Sequence, residues 1–261
     1  MKKYAVAIDV SPSEQIGDYD DSILCLGVLF CLKSPQSFDM VGDQFPDEEQ
    51  RLRLRKYSGS SPKYKRDLVK HLEAIKHSGH VISGVSVVNQ RFIKSVGLPV
   101  WIKANGKLPT PHSFNKKGKP RILLGGYQVD GQTRPAFEVL EDDLAIIGWL
   151  VLELGLLHKM LCEINGAIVK LDIIIDRLPN EKGAAGTNKG ELLKFMLDKM
   201  SENTISVVGV PDIPDTYQRD LLVDNIAGLG RDIFSNSDVA RNTKELLRIM
   251  NISKINLPQT C

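Results

Sequence analysis

Apolar residues fall in short, dense runs separated by polar stretches, and the spacing within each run predicts its element. Residues 4–10 (YAVAIDV) and 23–32 (ILCLGVLFCL) are nearly continuous in aliphatic side chains, the pattern of buried strands. The polar, acid-rich SPSEQIGDYDDS between them predicts the connection of a hairpin-like pair. From Pro62 the period changes. Ser61 can cap a helix, Pro62 suits its first position, and Tyr64, Leu68, Leu72 and Ile75 recur at helical spacing until Ser78-Gly79 ends it. Residues 80–89 (HVISGVSVVN) predict a third strand.

A Gly-, Pro- and Lys-rich stretch over 97–139 predicts an insertion carrying one hairpin. Residues 141–165 then predict a long helix, apolar around most of its circumference and so buried against a sheet or between layers, ending at Asn165-Gly166. The most strand-like segment is 168–176 (IVKLDIIID). Asn188 and Glu191 form a capping box opening a helix that turns Leu192, Leu193, Met196 and Leu197 to the core, and a strand over 205–210 follows. A strand, helix and strand this close in sequence predict a parallel crossover within one sheet. Two helices, 217–234 and 238–250, come last. The sum is one α/β domain over 1–261, with a mixed sheet of about five strands, flanking helices and a basic insertion.

Composition narrows the function classes. With 42% hydrophobic and 25% charged residues the chain can bury a substantial core. Its 34 Lys and Arg against 32 Asp and Glu, net +2, exclude a globally basic nucleic-acid coat protein and a globally acidic tail, so any electrostatic function is local. The longest nearly apolar run, 144–157, is interrupted by Glu153 and is shorter than the roughly 18 residues of a membrane helix, which predicts no membrane span. Met1-Lys2-Lys3 leads directly into a strand rather than a signal-peptide core, and the expected location is the cytoplasm. Cys25, Cys31, Cys162 and Cys261 match neither a CxxC pair nor a zinc set, and are expected to be reduced, Cys25 and Cys31 serving as small strand hydrophobes.

Two carboxylates stand where strands disfavour them: Asp9 near the end of the first run and Asp176 at the end of IVKLDIIID. Singly, each is equally well explained as a turn initiator. As ends of parallel neighbouring strands they would lie about 4.8 Å apart, and carboxylates that close repel unless a cation such as Mg²⁺ sits between them. Asp224 is a third candidate, on a helix whose Ala227 and Gly228 would permit close approach to the sheet; the alternative is a solvated face with ion pairs such as Asp224 to Arg231. Asp172, deeper in its strand, is a second choice. Residues 103–121 hold six Lys or Arg and no acid, among them Lys116, Lys117, Lys119 and Arg121, with His112 and Phe114 interleaved. Such a stretch can contact phosphates or be a solvated positive face. A second basic stretch runs through Arg51, Arg53, Arg55, Lys56, Lys63, Lys65 and Arg66. No Walker, Rossmann or GxSxG motif occurs. His71, His77 and His80 are spaced wrongly for one helix face and are expected at the surface.

YAVAID with its terminal Asp9, the ILCLGVLF strand, IVKLDIIID and the helical LLVDNIAGL together resemble the RNase H-like fold. More narrowly, they resemble a poorly characterised prokaryotic family whose members open with a strand ending in Asp-Glu-Ser-Gly and close with a helical Gln-x-Ala-Asp-x-x-Ala-Gly motif. The overlap covers residues 4–234. Here Asp9 is followed by Val10-Ser11-Pro12, so the second acid of the motif is missing, with Glu14 a candidate in its place, while residues 223–228 keep the helical Asp and Ala-Gly. The resemblance implies that Asp9, Asp176 and Asp224 bind Mg²⁺ or Mn²⁺ and hydrolyse phosphodiester bonds of DNA or RNA. It implies nucleic acid held by Lys116, Lys117, Lys119 and Arg121, and a role in mobile elements or phage defence. The competing expectation is a non-catalytic RNase H-like scaffold that holds nucleic acid, a partner protein or a second copy of itself.

Overall fold

The structure is a computed structural model; it describes residues 1–11, 23–31, 56–57, 59–77, 81–124, 127–129, 132–134, 137–175, 188–201, 204–208 and 216–234. Asp176, the stretch 51–55 and the predicted helix 238–250 lie outside them. In chain order the elements are β1 (Lys3–Ser11), β2 (Ile23–Cys31), α1 (Pro62–His77), β3 (Val81–Asn89), α2 (Gln90–Asn105), β4 (Pro111–Phe114), β5 (Pro120–Leu124), β6 (Tyr127–Val129), β7 (Gln132–Arg134), β8 (Phe137–Leu140), α3 (Glu141–Asn165), β9 (Lys170–Ile175), α4 (Asn188–Ser201), β10 (Ile205–Val208) and α5 (Thr216–Phe234).

The main sheet has the order β10-β9-β1-β2-β3. The hairpin-like pair is antiparallel, as predicted, and β3 continues it antiparallel on β2. β9 joins the other edge of β1 in parallel, and β10 is parallel to β9, the relation the strand–helix–strand spacing predicts. Alternation along β1 divides the sheet into two faces. Tyr4, Val6, Ile8 and Val10, with Leu26 of β2 and Leu171, Ile173 and Ile175 of β9, join the large core beneath α3. Ala7, Cys25, Gly27 and Ile174 lie on the other face, where α5 packs against β1, β2 and β3.

α3 has the predicted bounds. The Asp143 carboxylate accepts the Leu140 N–H at its start, and Gly166, at φ 60°, closes its end. By length and composition this helix could cross a membrane, but 61% of its apolar window is buried within the protein, as expected of a helix between layers. Its buried Glu153 accepts the Trp149 indole N–H at 2.9 Å. Lys2 and Tyr4 both donate to Asn165 Oδ1, and only four residues separate Asn165 from Lys170, which pairs with Lys3. The C-terminal end of α3 therefore sits at the start of β1. Some 25 residues at about 1.5 Å each return the first turn of α3 toward the carboxyl end of β1. In α4, Leu192, Leu193, Met196 and Leu197 are buried as expected.

Three expectations need correction. The stretch starting at Gly97 is not insertion from its first residue: α2 runs through Gly97 and Pro99 to Asn105. A β carbon on Gly97 would collide with the Ala145 carbonyl, and one on Gly148 with the Gly97 carbonyl, so Gly97, read as the start of an insertion, is the contact between α2 and α3. The remainder holds more than one hairpin, forming a three-stranded sheet β4-β5-β8 and a two-stranded β6-β7. Lastly, His71 is buried, 9% exposed, because it falls on the Tyr64, Leu68, Leu72 stripe of α1.

Candidate functional site

Asp9 is half-buried, one residue from the end of the β1–β9 pairing, where Ile8 lies opposite Ile175. Asp176 is the next residue in the chain after Ile175 and lies outside the described residues. On its antiparallel side Asp9 is paired with Gly27, and directly opposite residues in such a pair project to the same face. That face is occupied by α5. A β carbon on Gly27 would stand 2.8 Å from the Ala227 nitrogen and 2.8 Å from the Val223 carbonyl oxygen, a backbone-to-backbone approach that only glycine permits. The small residues of α5 thus do bring it onto the sheet beside Asp9. The glycine that completes the approach was legible as a strand-interior Gly.

Asp224 follows Val223 on α5 and is half-buried. Its Oδ2 accepts the main-chain N–H of Tyr57 at 2.9 Å. Arg231, the expected ion-pair alternative for Asp224, instead reaches Ser11 Oγ at 3.3 Å and Asp232 Oδ1 at 3.0 Å. Tyr57 continues along the same stripe of α5: its ring lies against Gly228, and its hydroxyl donates to Asp232 Oδ2 at 2.7 Å. Lys65 donates to the same oxygen and lies 4.4 Å from the centre of the Tyr57 ring, while the Tyr64 hydroxyl meets Asn225 Oδ1 at 3.1 Å. These contacts fasten α1 and the segment before it to α5, and sequence reasoning missed them.

The titrations follow from the surroundings. Burial pushes the Tyr57 phenol up, and its hydrogen bond to the Asp232 carboxylate adds to this, so it stays protonated. Burial also raises Asp232, but hydrogen bonds from Lys65, Tyr57 and Arg231 outweigh it and hold the carboxyl below its usual range. Cys25, fully buried on the α5 face as the sequence implied, is pushed up by burial, Arg231 and Asp9 acting in opposite directions on it. It remains a thiol at neutral pH.

Asp172 pairs with Lys3 at 2.6 Å, near the start of β1 and four residues from the end that carries Asp9. Among the described residues no group of three or more His, Cys, Asp or Glu is gathered as a metal set; the proposed trio includes Asp176, outside them. Asp9 and Asp224 offer hard carboxylate oxygens, the donor type that suits Mg²⁺ or Mn²⁺.

The basic candidates lie on the β4–β5 hairpin. Lys116 and Lys117 are exposed at its turn. Lys119 reaches Asp142 Oδ2 at 3.2 Å, and Lys94 reaches the other oxygen of Asp142 at 2.8 Å. Arg121 pairs with Glu138 at 2.9 Å, and His112 lies 3.1 Å from the same carboxylate. The stretch without acids is therefore compensated by acids from β8 and α3. No family model matches this chain, and no curated protein does.

Proposed function

We propose that this chain is an RNase H-like nuclease that hydrolyses phosphodiester bonds of DNA or RNA with Mg²⁺ or Mn²⁺ held by Asp9, Asp176 and Asp224. The observation that carries this reading is the setting of Asp9. It lies two residues before the end of a central strand flanked by a parallel and an antiparallel neighbour, on the face where α5, the helix of Asp224, touches the sheet backbone at Gly27. The sheet order, three antiparallel strands continued by two parallel ones, supports the RNase H-like reading. Bound ions would lower the pKa of an attacking water and stabilise the leaving oxygen. The chain's own part is to fix carboxylates on rigid elements, with the Tyr57 N–H orienting Asp224.

The test is cleavage of single- and double-stranded DNA and RNA with either ion. Activity that is lost on chelation and on Asp176→Asn or Asp9→Asn is the expected result. Undiminished cutting by Asp176→Asn removes this residue from the mechanism. The non-catalytic scaffold is the second reading, favoured by Val10, which takes the place of a second acid and is 2% exposed in the core. Binding without cutting in either ion would decide for it.

A further inference from the structure

The side chain of Phe114 is exposed, 66% accessible, at the end of β4 beside the hairpin turn. Water-exposed phenylalanine next to two exposed lysines is an arrangement that folding does not reward, since neither the ring nor the charges are buried by it. We propose that the tip of the β4–β5 hairpin is a docking surface for single-stranded nucleic acid. Phe114 stacks on an unpaired base, and Lys116 and Lys117 lie along the adjoining phosphates. The inference rests on the nucleic-acid reading above and deepens it, naming the substrate class and dividing the basic cluster by task.

The division follows from exposure. Lys119 and Arg121 are half-buried, held to Asp142 and Glu138, and anchor the hairpin to α3 and β8, while Lys116 and Lys117 at the turn are exposed. The turn itself is fixed. Asn115 Oδ1 accepts the main-chain N–H groups of Lys117 and Lys119, each at 2.9 Å, the Asn115 N–H donates to the Lys119 carbonyl, and Gly118 takes the left-handed conformation at φ 74°. A preset tip loses little conformational freedom on binding. Its place also fits. The first turn of α3, which holds Lys119 through Asp142, lies toward the carboxyl end of β1, the end that carries Asp9.

Single strands are favoured over duplex for a geometric reason. A lone ring stacks only on a base face that is uncovered, and within a duplex both faces are occupied by neighbouring bases. A duplex would use the lysines alone. An acidic protein would also be attracted by the charge, but it would need only apolar area from position 114, not an aromatic face.

The experiment is fluorescence anisotropy of a fluorescein-labelled oligothymidylate, and of a duplex of equal length, titrated with the full chain in EDTA. Phe114→Leu keeps most of the apolar area and removes the π face; it should weaken single-strand binding about tenfold, while Phe114→Trp retains it. Duplex binding should be the same in all three proteins. Replacing Lys116 and Lys117 with Ala should flatten the dependence of log affinity on log salt by up to about 0.7 per lost contact on the single strand. Circular dichroism checks that each variant is folded, which exposed positions should allow. Single-strand affinity indifferent to Phe114→Leu, an equal loss on duplex, or no binding by the unaltered chain would overturn the proposal. Because the assay contains no metal, it separates two failures. Capture through Phe114 without cleavage in Mg²⁺ or Mn²⁺ defeats the nuclease reading alone, and cleavage unaffected by Phe114→Leu, with unchanged binding, defeats this one alone.

Discussion

The hydroxyl of Tyr57 donates to Asp232 at 2.7 Å, across 175 residues of chain, while the main-chain N–H of the same tyrosine donates to Asp224. One residue thus joins the segment before α1 to two carboxylates two helical turns apart on α5. Asp232 has Lys65 and Arg231 as well, so Tyr57→Phe removes one donor to a buried carboxylate that keeps others. The expected cost is about 1.5–3 kcal/mol in urea-induced unfolding. Asp232→Ala should cost more, about 3–5 kcal/mol, because it leaves Lys65 and Arg231 without their shared partner. A Tyr57→Phe protein as stable as the parent would mean that the hydrogen bond contributes nothing.

The contact of Gly27 with α5 predicts opposite signs for two glycine replacements. Gly27→Ala puts a methyl group 2.8 Å from the main chain of α5, with no flexible side chain to yield, and should destabilise by about 1–3 kcal/mol or more. Gly155→Ala, in α3 with nothing within 4 Å of the added carbon, should stabilise by about 0.4–1 kcal/mol through helix propensity and loss of unfolded-state freedom. Thermal unfolding of the two variants beside the parent checks both signs.

Legibility in the sequence followed the range of the interactions. β1, β2, β9 and α3 were readable because their apolar periods are local and their stops, such as Asn165-Gly166, are chemical. α2 was not, because Gly97 and Pro99 break helices in isolation, and only the facing Gly148 of α3 shows why Gly97 belongs in one. The Tyr57–Asp232 link carries no local mark at all: neither residue sits in an unusual pattern, and their pairing exists only once α1 and α5 are docked. Asp9 was legible as an acid out of place in a strand, and so was its parallel partner strand. Lys119 and Arg121 were read with the wrong neighbours in mind, since Asp142 and Glu138 come from beyond the basic stretch.

His71 gives a pH dependence whose sign is fixed. Burial lowers its pKa from 6.5 to about 4, so the folded protein holds it neutral where the unfolded chain takes up a proton. The stability contributed is complete above pH 6.5 and is lost progressively as pH falls toward 4. Between pH 7 and pH 5 this amounts to about 2 kcal/mol. Denaturant unfolding at the two pH values should show that loss in the parent and a clearly smaller one in His71→Gln. Equal losses in both proteins would place the pH dependence elsewhere.

Metal binding can be separated from catalysis by stability. If Asp9, Asp176 and Asp224 share ions, Mn²⁺ at about 100 times its dissociation constant should stabilise the folded chain by about 2.7 kcal/mol, a rise of roughly 5–10 °C in Tm for a protein of this size. Asp9→Asn and Asp176→Asn should abolish most of the rise. In chelator, the same variants should be at least as stable as the parent, because removing one of several neighbouring negative charges relieves their repulsion. Asp172→Asn is the control. Its carboxylate pairs with Lys3 near the opposite end of β1, so it should lose a little stability in chelator and keep the full Mn²⁺ response. A rise of equal size in Asp9→Asn would put the ion elsewhere on the protein, and no rise in the parent at millimolar Mn²⁺ would mean that the three carboxylates hold no ion.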